Sequence, residues 1–330
     1  MDRLIVKNFG PLKNVDIELR KINLFIGENG SGKSVLAKLI TILTDFQVNN
    51  QDIFIKKLND FEIDYIEKST YIQLMSDKEI DIEFDKGIFN IYTKKNITTS
   101  QYIPAERNLI SLFNKYVTTF ITADIPLPKF LLNFSSQYTR AREMITQLEF
   151  LDVQYRFKNA QEYIFYADNQ SLPLEQSSSG IQSALPLYLT LKYFTKKHQN
   201  IIIEELEQNL FPKAQKHTVE YSIKELEADN RLFIMTHSPY VLSSLNILMM
   251  AYKAGNLNPK SKEKVRKICE EKQWINPNDF IGYYIDKGTT KDIRGKTGLI
   301  STNKIDDISN YIQDEFEELL AIYRDYKNVR

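Results

Sequence analysis

The chain has 330 residues, in which 43 lysines and arginines balance 43 aspartates and glutamates and 42% of residues are apolar. This is enough for about two domains with an ordinary core, and it excludes collagen-like and wholly disordered classes. Zero net charge gives no chain-wide attraction to DNA or anionic lipid, so any nucleic-acid role has to rest on a local patch. Cys269 is the only cysteine, which leaves no intrachain disulfide or Cys-based zinc site and points to a reducing compartment. The charged start MDRLIVKNFGPLKNVDIELRK lacks a signal-peptide core, and no run approaches the ~18 apolar residues of a membrane span. A cytoplasmic protein that is not membrane-integral is expected.

Leu4 to Lys7, Asp16 to Leu19 and Ile22 to Ile26 read as short strands, with Gly10-Pro11 at the first turn. The third strand runs into glycine, and from Ser34 the spacing of Val35, Leu36, Leu39, Ile40, Ile42 and Leu43 is helical. Residues 45 to 100 are polar and mixed; a hairpin of Ile80 to Phe84 and Ile88 to Tyr92, turned at Asp85-Lys86-Gly87, predicts an antiparallel flank. Pro126 and Pro128 precede an amphipathic stretch, Lys129 to Leu151, whose Phe130, Leu131, Phe134, Tyr138 repeat predicts a helical arm. Strands Val153 to Phe157 and Tyr163 to Ala167 lead to Ser177-Ser178-Ser179-Gly180 and a helix, Ile181 to Phe194. Two apolar strands follow, Ile201 to Ile203 ending in Glu204-Glu205 and Leu232 to Met235 ending in Thr236-His237-Ser238-Pro239. Runs of this kind, each followed by a helix, predict an α/β sheet with its site along the C-terminal edge of the strands. The lysine-rich tail from Pro259 is expected to hold a strand, Phe280 to Ile285, and a last helix, Ile305 to Tyr326.

Gly27-Glu28-Asn29-Gly30-Ser31-Gly32-Lys33-Ser34 fits G-x-x-x-x-G-K-[ST] between strand and helix, the context a phosphate loop requires. The backbone from Asn29 through Gly30, Ser31 and Gly32 can curl around a β-phosphate, Lys33 can neutralise β and γ oxygens, and the Ser34 hydroxyl can ligate Mg²⁺. Glu204 and Glu205 resemble a Walker B end, the first holding Mg²⁺ through water and the second polarising the attacking water; a solvated loop is the plain alternative. His237 follows the next strand, an address from which an imidazole can meet the γ-phosphate of ATP, although a single histidine is more often structural. His198 and His217 sit in polar surroundings and read as surface residues. Ser178, Ser179, Gly180 and Gln182 lie at a helix start, where they either bind an anion or, more plainly, provide an N-cap serine.

In order, GENGSGKS, SSSGIQ, IIIEELEQNLFP and THSPYVL resemble the ABC-type ATPase heads of the SMC, RecF and OLD proteins, most nearly the OLD-like branch. That branch commonly reads acid-acid-Pro-Glu and then Leu-His-Pro; Leu206 stands at the proline position and Phe211 at the histidine. SSSGIQ is similar to the LSGGQ signature, with Ser178 as its serine and Gly180 as its second glycine. The resemblance implies that Ser178, Ser179, Gly180 and Gln182 bind the γ-phosphate of ATP held by another subunit, in a head-to-tail homodimer or higher assembly. Tyr102-Ile103-Pro104-Ala105-Glu106-Arg107 resembles the segment these proteins carry in place of a Q-loop, which would bring Arg107 to the γ-phosphate; an ordinary surface pair is the alternative.

The implied fold is an α/β P-loop NTPase of ABC/SMC-head type with an antiparallel β flank and an inserted helical arm. Its ATPase core would be residues 1–44 and 174–258, the insertion 45–173 and a C-terminal α/β extension 259–330. Standalone heads of this kind, similar to those of the Septu and PARIS antiphage systems, work with a separately encoded effector nuclease. No glutamate with an Asp-x-Asp cluster stands out after residue 250, since Asp279 and Asp286 are isolated and Asp306-Asp307 lies in a helical segment, so no intrinsic nuclease is expected. The alternatives are a RecF-like repair ATPase binding DNA through Arg140 and Arg142, a transporter's ATP-binding subunit, and a regulatory module with little turnover.

Overall fold

The computed structural model describes residues 2–77, 79–93, 98–110, 127–166, 170–197, 199–301, 313–320 and 322. Alternating apolar residues fold β1 (Asp2–Phe9) and β2 (Leu12–Leu19) into an antiparallel hairpin that buries Leu4, Val6, Val15 and Ile17. β3 (Ile22–Ile26) is buried at every position, as a strand covered on both faces must be. It leads through the glycine loop into α1 (Lys33–Leu43), whose Leu36, Leu39, Ile40 and Leu43 are buried. α2 (Gln51–Asp60) starts at Asn50, whose side chain accepts from Ile53 N. β4 (Tyr71–Ser76), β5 (Glu79–Asp85) and β6 (Ile88–Ile91) form an antiparallel flank, and β7 (Thr99–Ile103) follows.

α3 (Lys129–Met144) comes next, then β8 (Gln147–Phe150), β9 (Val153–Lys158), β10 (Gln161–Phe165) and β11 (Ser171–Pro173), which form a separate four-stranded antiparallel sheet. The predicted helical arm is thus shorter than expected. After Met144 the chain enters a hairpin whose two turn residues, Leu151 and Asp152, sit at φ 47° and 63°, the left-handed geometry that tight hairpins need. Nor does α3 project: Phe130, Phe134 and Tyr138 are buried, and the Phe130 ring stacks 5.9 Å from Phe61. Arg142, one of the two candidate DNA contacts, pairs with the buried Glu162 at 3.3 Å, while Arg140 is exposed.

α4 (Ser179–Phe194), β12 (Gln199–Glu204), α5 (Pro212–Glu225), β13 (Arg231–Thr236), α6 (Pro239–Gly255), α7 (Pro259–Arg266), β14 (Phe280–Asp286) and β15 (Thr289–Asp292) complete the order, and residues 313–320 are helical. The predicted last helix otherwise falls outside the described residues, as does His198, and His217 is half-exposed on α5 with Nδ1 3.5 Å from Glu220. Among the described residues no helix is long and apolar enough to cross a membrane.

The main sheet runs β6-β5-β4-β1-β2-β15-β14-β3-β13-β12-β7. Its last five strands, β14-β3-β13-β12-β7, are all parallel, so their C-terminal ends share one edge. β7, which the sequence does not announce, follows the polar 45–100 stretch and pairs with β12, and the expected tail strand, β14, lies directly against β3. The register sets Ile26 beside Thr236, Met235 beside Glu204, and Ile203 beside Ile103. One strand therefore separates the glycine loop from the paired acids, a gap of roughly 10 Å at ~4.8 Å per strand.

Candidate nucleotide site

The loop after β3 is shaped by close approach and by backbone sign. A Cβ on Gly27 would stand 2.4 Å from the Ile285 carbonyl oxygen of β14, so only glycine lets the loop pass that strand. Gly32, the N-cap of α1, has φ 104°, a conformation L side chains rarely adopt. Lys33 Nζ donates back across the loop to the carbonyls of Gly27 at 2.7 Å and Glu28 at 2.8 Å, with the Ser31 hydroxyl at 3.4 Å. Burial pulls the Lys33 pKa down, and Glu205, Glu207 and Glu204 pull against it.

A cavity of about 290 Å³ opens between Asn29, Gly30, Gly32, Lys33 and Ser34 on one side and Glu204, Glu205 and Met235 on the other. A larger cleft of about 680 Å³ lies at the opposite ends of the strands, lined by Asp2, Arg20, Asp81 and Arg231. Carboxylates and cations are mixed there without a glycine loop, so the phosphate chemistry belongs to the smaller cavity.

Glu204 ends β12 as a buried carboxylate. Burial pushes its pKa up, opposed by hydrogen bonds from Tyr102 and Ser34 and by the charge of Lys38. The Tyr102 hydroxyl donates to Glu204 Oε1 at 2.8 Å. Strand alternation would turn Glu205 to the opposite face. Instead its backbone is left-handed at φ 45°, and both acids line the same cavity. Its N–H donates to the Met235 carbonyl at 2.9 Å.

Glu207 and Tyr102 are the residues that sequence reasoning missed. Glu207 Oε1 accepts from the Thr236 hydroxyl at 2.6 Å and the His237 N–H at 2.9 Å, and His237 Nδ1 lies 3.5 Å away. Half-exposed His237 is thus held at the end of β13, between the glycine-loop strand and the acid strand. The signal for Glu207 was its place in EELE; Tyr102 stood in a segment singled out only for its arginine.

Arg107 does not face the phosphate cavity. Fully buried, it donates from Nε to the Ser183 carbonyl (3.1 Å), from Nη1 to those of Pro104 (3.1 Å) and Glu204 (2.7 Å), and from Nη2 to that of Glu205 (2.6 Å). It braces the chain behind the acids, and burial lowers its pKa to about 10. The SSSGIQ segment stands apart as well. Exposed Ser178 caps α4 by accepting from Ile181 N at 3.4 Å, and Gln182 Nε2 donates to the Ser177 carbonyl at 2.8 Å. Ser179 is exposed in the first turn, and a Cβ on Gly180 would stand 2.9 Å from the Asn209 carbonyl. Residues 177 to 182 contribute nothing to the lining of the phosphate cavity.

A parallel sheet whose buried strand runs through a glycine loop into a helix, with paired acids one strand away in the same cavity, defines a mixed α/β P-loop NTPase, here with an additional small antiparallel sheet. The chain belongs to the AAA ATPase domain family, which matches residues 1–142 and 127–242. No curated protein matches it. Among solved structures it is similar to the SMC head domain from Thermotoga maritima, at 11% identity over 89% of this chain and 98% of that one, TM-score 0.43. It is also similar to an Smc head domain with an extended coiled coil, bound to the C-terminal domain of ScpA from Pyrococcus furiosus, at 12% identity over 95% and 100% of the two chains, TM-score 0.41. A third likeness is cbiO1 from Clostridium perfringens, part of the ABC transporter complex cbiONQ, at 12% identity over 88% of each chain, TM-score 0.37.

Proposed function

We propose that the chain is an ATP-binding and hydrolysing switch of the ABC/SMC-head type, which closes head to tail around ATP and controls a separately encoded effector, a nuclease foremost, in bacterial antiphage defence. The observation that carries the ATPase reading is the single cavity shared by Lys33, Ser34, Glu204 and Glu205. ATP phosphates would sit on the loop amides at the start of α1, and Lys33 would exchange the Gly27 and Glu28 carbonyls for phosphate oxygens. The Ser34 hydroxyl and the Glu204 carboxylate, which line the same cavity, are the hard oxygen donors that Mg²⁺ prefers. When bound, Mg²⁺ supplies neutralisation of charge on the β- and γ-phosphates. Glu205 accepts the proton of the attacking water, and His237, with Nδ1 toward Glu207, keeps Nε2 for the γ-phosphate.

Dimerisation is supported by what the cavity lacks. Ser178 and Ser179 present an exposed helix start that their own loop does not use. Phe211, next in the chain to the Leu210 that approaches Gly180, is 80% exposed, an apolar side chain suited to a covered interface. The effector role rests on the motif resemblance alone. Steady-state phosphate release from Mg-ATP tests the catalytic part: the wild-type chain turns over and Lys33→Ala is silent, whereas equal rates contradict it. Co-expression with the products of adjacent genes tests the rest; a nuclease that copurifies and whose cleavage responds to ATP supports it, and replication genes alone next door count against it.

A further inference from the structure

The loop carrying Glu205 and Glu207 begins and ends in left-handed residues, Glu205 at φ 45° and Asn209 at φ 57°. Both ends are tied to one residue of the helix that follows SSSGIQ. The Ser183 carbonyl receives Arg107, whose other donors hold the carbonyls of Glu204 and Glu205, and the Ser183 hydroxyl accepts from Asn209 Nδ2 at 3.1 Å. The first turn of α4 packs on the same loop, since Gly180 has no room for a Cβ against the Asn209 carbonyl. Arg107 and Ser183 therefore tie the SSSGIQ helix to both ends of the acid loop, through a guanidinium that does not line the phosphate cavity.

A charged side chain is expensive to bury without a carboxylate partner, and Arg107 spends its hydrogen bonds on backbone oxygens alone. Its fork geometry is what the place requires. One planar group reaches a helix carbonyl and the two consecutive carbonyls of Glu204 and Glu205, which a lysine point charge cannot do. The strained backbone of Glu205 lies directly under this clamp, so a displacement of α4 is passed to the direction in which its carboxylate points. Displacements of about 1 Å at a catalytic group can cost on the order of a hundredfold in rate.

We infer that Arg107 is a positioning residue that couples the signature segment to Glu205, so that the acid is aimed for hydrolysis when a phosphate seats the start of α4. The inference rests on the reading of Ser178 to Gln182 as a signature serving a second subunit. It predicts that Arg107→Lys binds ATP and associates with ATP as the wild type does, while kcat falls about tenfold to a hundredfold and KM stays within about twofold.

The test is a double-mutant cycle in kcat on the full chain with Arg107→Lys and Ser178→Ala, a truncation that weakens the helix start without blocking it. If Arg107 carries the coupling, Ser178→Ala slows the wild type measurably and slows the Arg107→Lys chain little further. Multiplicative losses, in a wild type that responds to Ser178→Ala, would overturn the inference and leave the shared-site reading standing. No response of the wild type to Ser178→Ala would remove the shared-site reading and the coupling with it. Thermal melting is measured on each variant. Should Arg107→Lys fail to fold, Ser183→Ala, which keeps the carbonyl and removes the hydroxyl's bonds to Asn209 and Gln208 at the far end of the acid loop, enters the same cycle with the same required outcome.

Discussion

Tyr102 and Glu204 are joined by a hydrogen bond of 2.8 Å between the end of β7 and the end of β12, and this bond favours the charged form of a carboxylate whose pKa burial raises. A hydrogen bond to a charged group contributes roughly 1.5–3 kcal/mol. Tyr102→Phe removes the donor and leaves Glu204 desolvated, so its pKa, already raised by burial, rises further. The charged form is then lost at a higher pH as acid is added. The acid limb of the hydrolysis profile should move to higher pH, and more Mg²⁺ should be needed for half-maximal rate. A profile that superimposes on the wild type would remove Glu204 from the metal role.

Lys33 and Glu205 separate binding from chemistry. Without the Lys33 ammonium the loop amides alone face the triphosphate charge, so Lys33→Ala should show no saturable Mg-ATP binding by isothermal titration. Glu205→Gln keeps shape and hydrogen bonding but cannot take up a proton, so ATP should bind normally and turn over about 10²- to 10⁴-fold more slowly. Wild-type turnover in that variant would shift the base role to Glu204 or His237.

A third expectation concerns stability. Glu162 is buried and accepts from the hydroxyls of Tyr138 and Tyr155 and from Arg142, yet burial still leaves its pKa raised. A carboxyl whose folded pKa lies above its unfolded value adds stability that is complete below the unfolded value, ordinarily 4.5, and lost as pH rises through the folded one. Urea unfolding at several pH values should therefore show the wild type gaining on Glu162→Gln as pH falls from 8 toward 5. A difference independent of pH would mean that Glu162 is not shifted.

What was legible in the sequence was what sits in one continuous stretch. The glycine loop is eight consecutive residues, and Ile201 to Ile203 announces a strand buried on both faces. β7 is hidden because its polar TSQYI run becomes the last strand of the main sheet only by pairing with β12, a hundred residues on. β8 reads as part of the arm because the Phe130, Leu131, Phe134, Tyr138 spacing is extended to Leu151; the tight turn at Leu151 and Asp152 overrides it. Arg107 and Glu207 were opaque for the same reason. An arginine beside a glutamate looks like a surface pair until the carbonyls of Ser183 and Glu204 are brought around it by tertiary packing.

The shared ATP site is tested most directly by mixing two inactive chains. Lys33→Ala cannot hold ATP, and Ser178→Arg cannot offer its helix start to a partner's phosphate, so each homodimer has two broken sites. In a mixed dimer the intact loop of the Ser178→Arg chain meets the intact signature of the Lys33→Ala chain, and the other site carries both defects. Hydrolysis, read together with ATP-dependent association, should return on mixing and rise with the fraction of mixed dimer. If both folded variants are mixed and neither rate nor association recovers, the site is completed within one chain and the head-to-tail account is wrong.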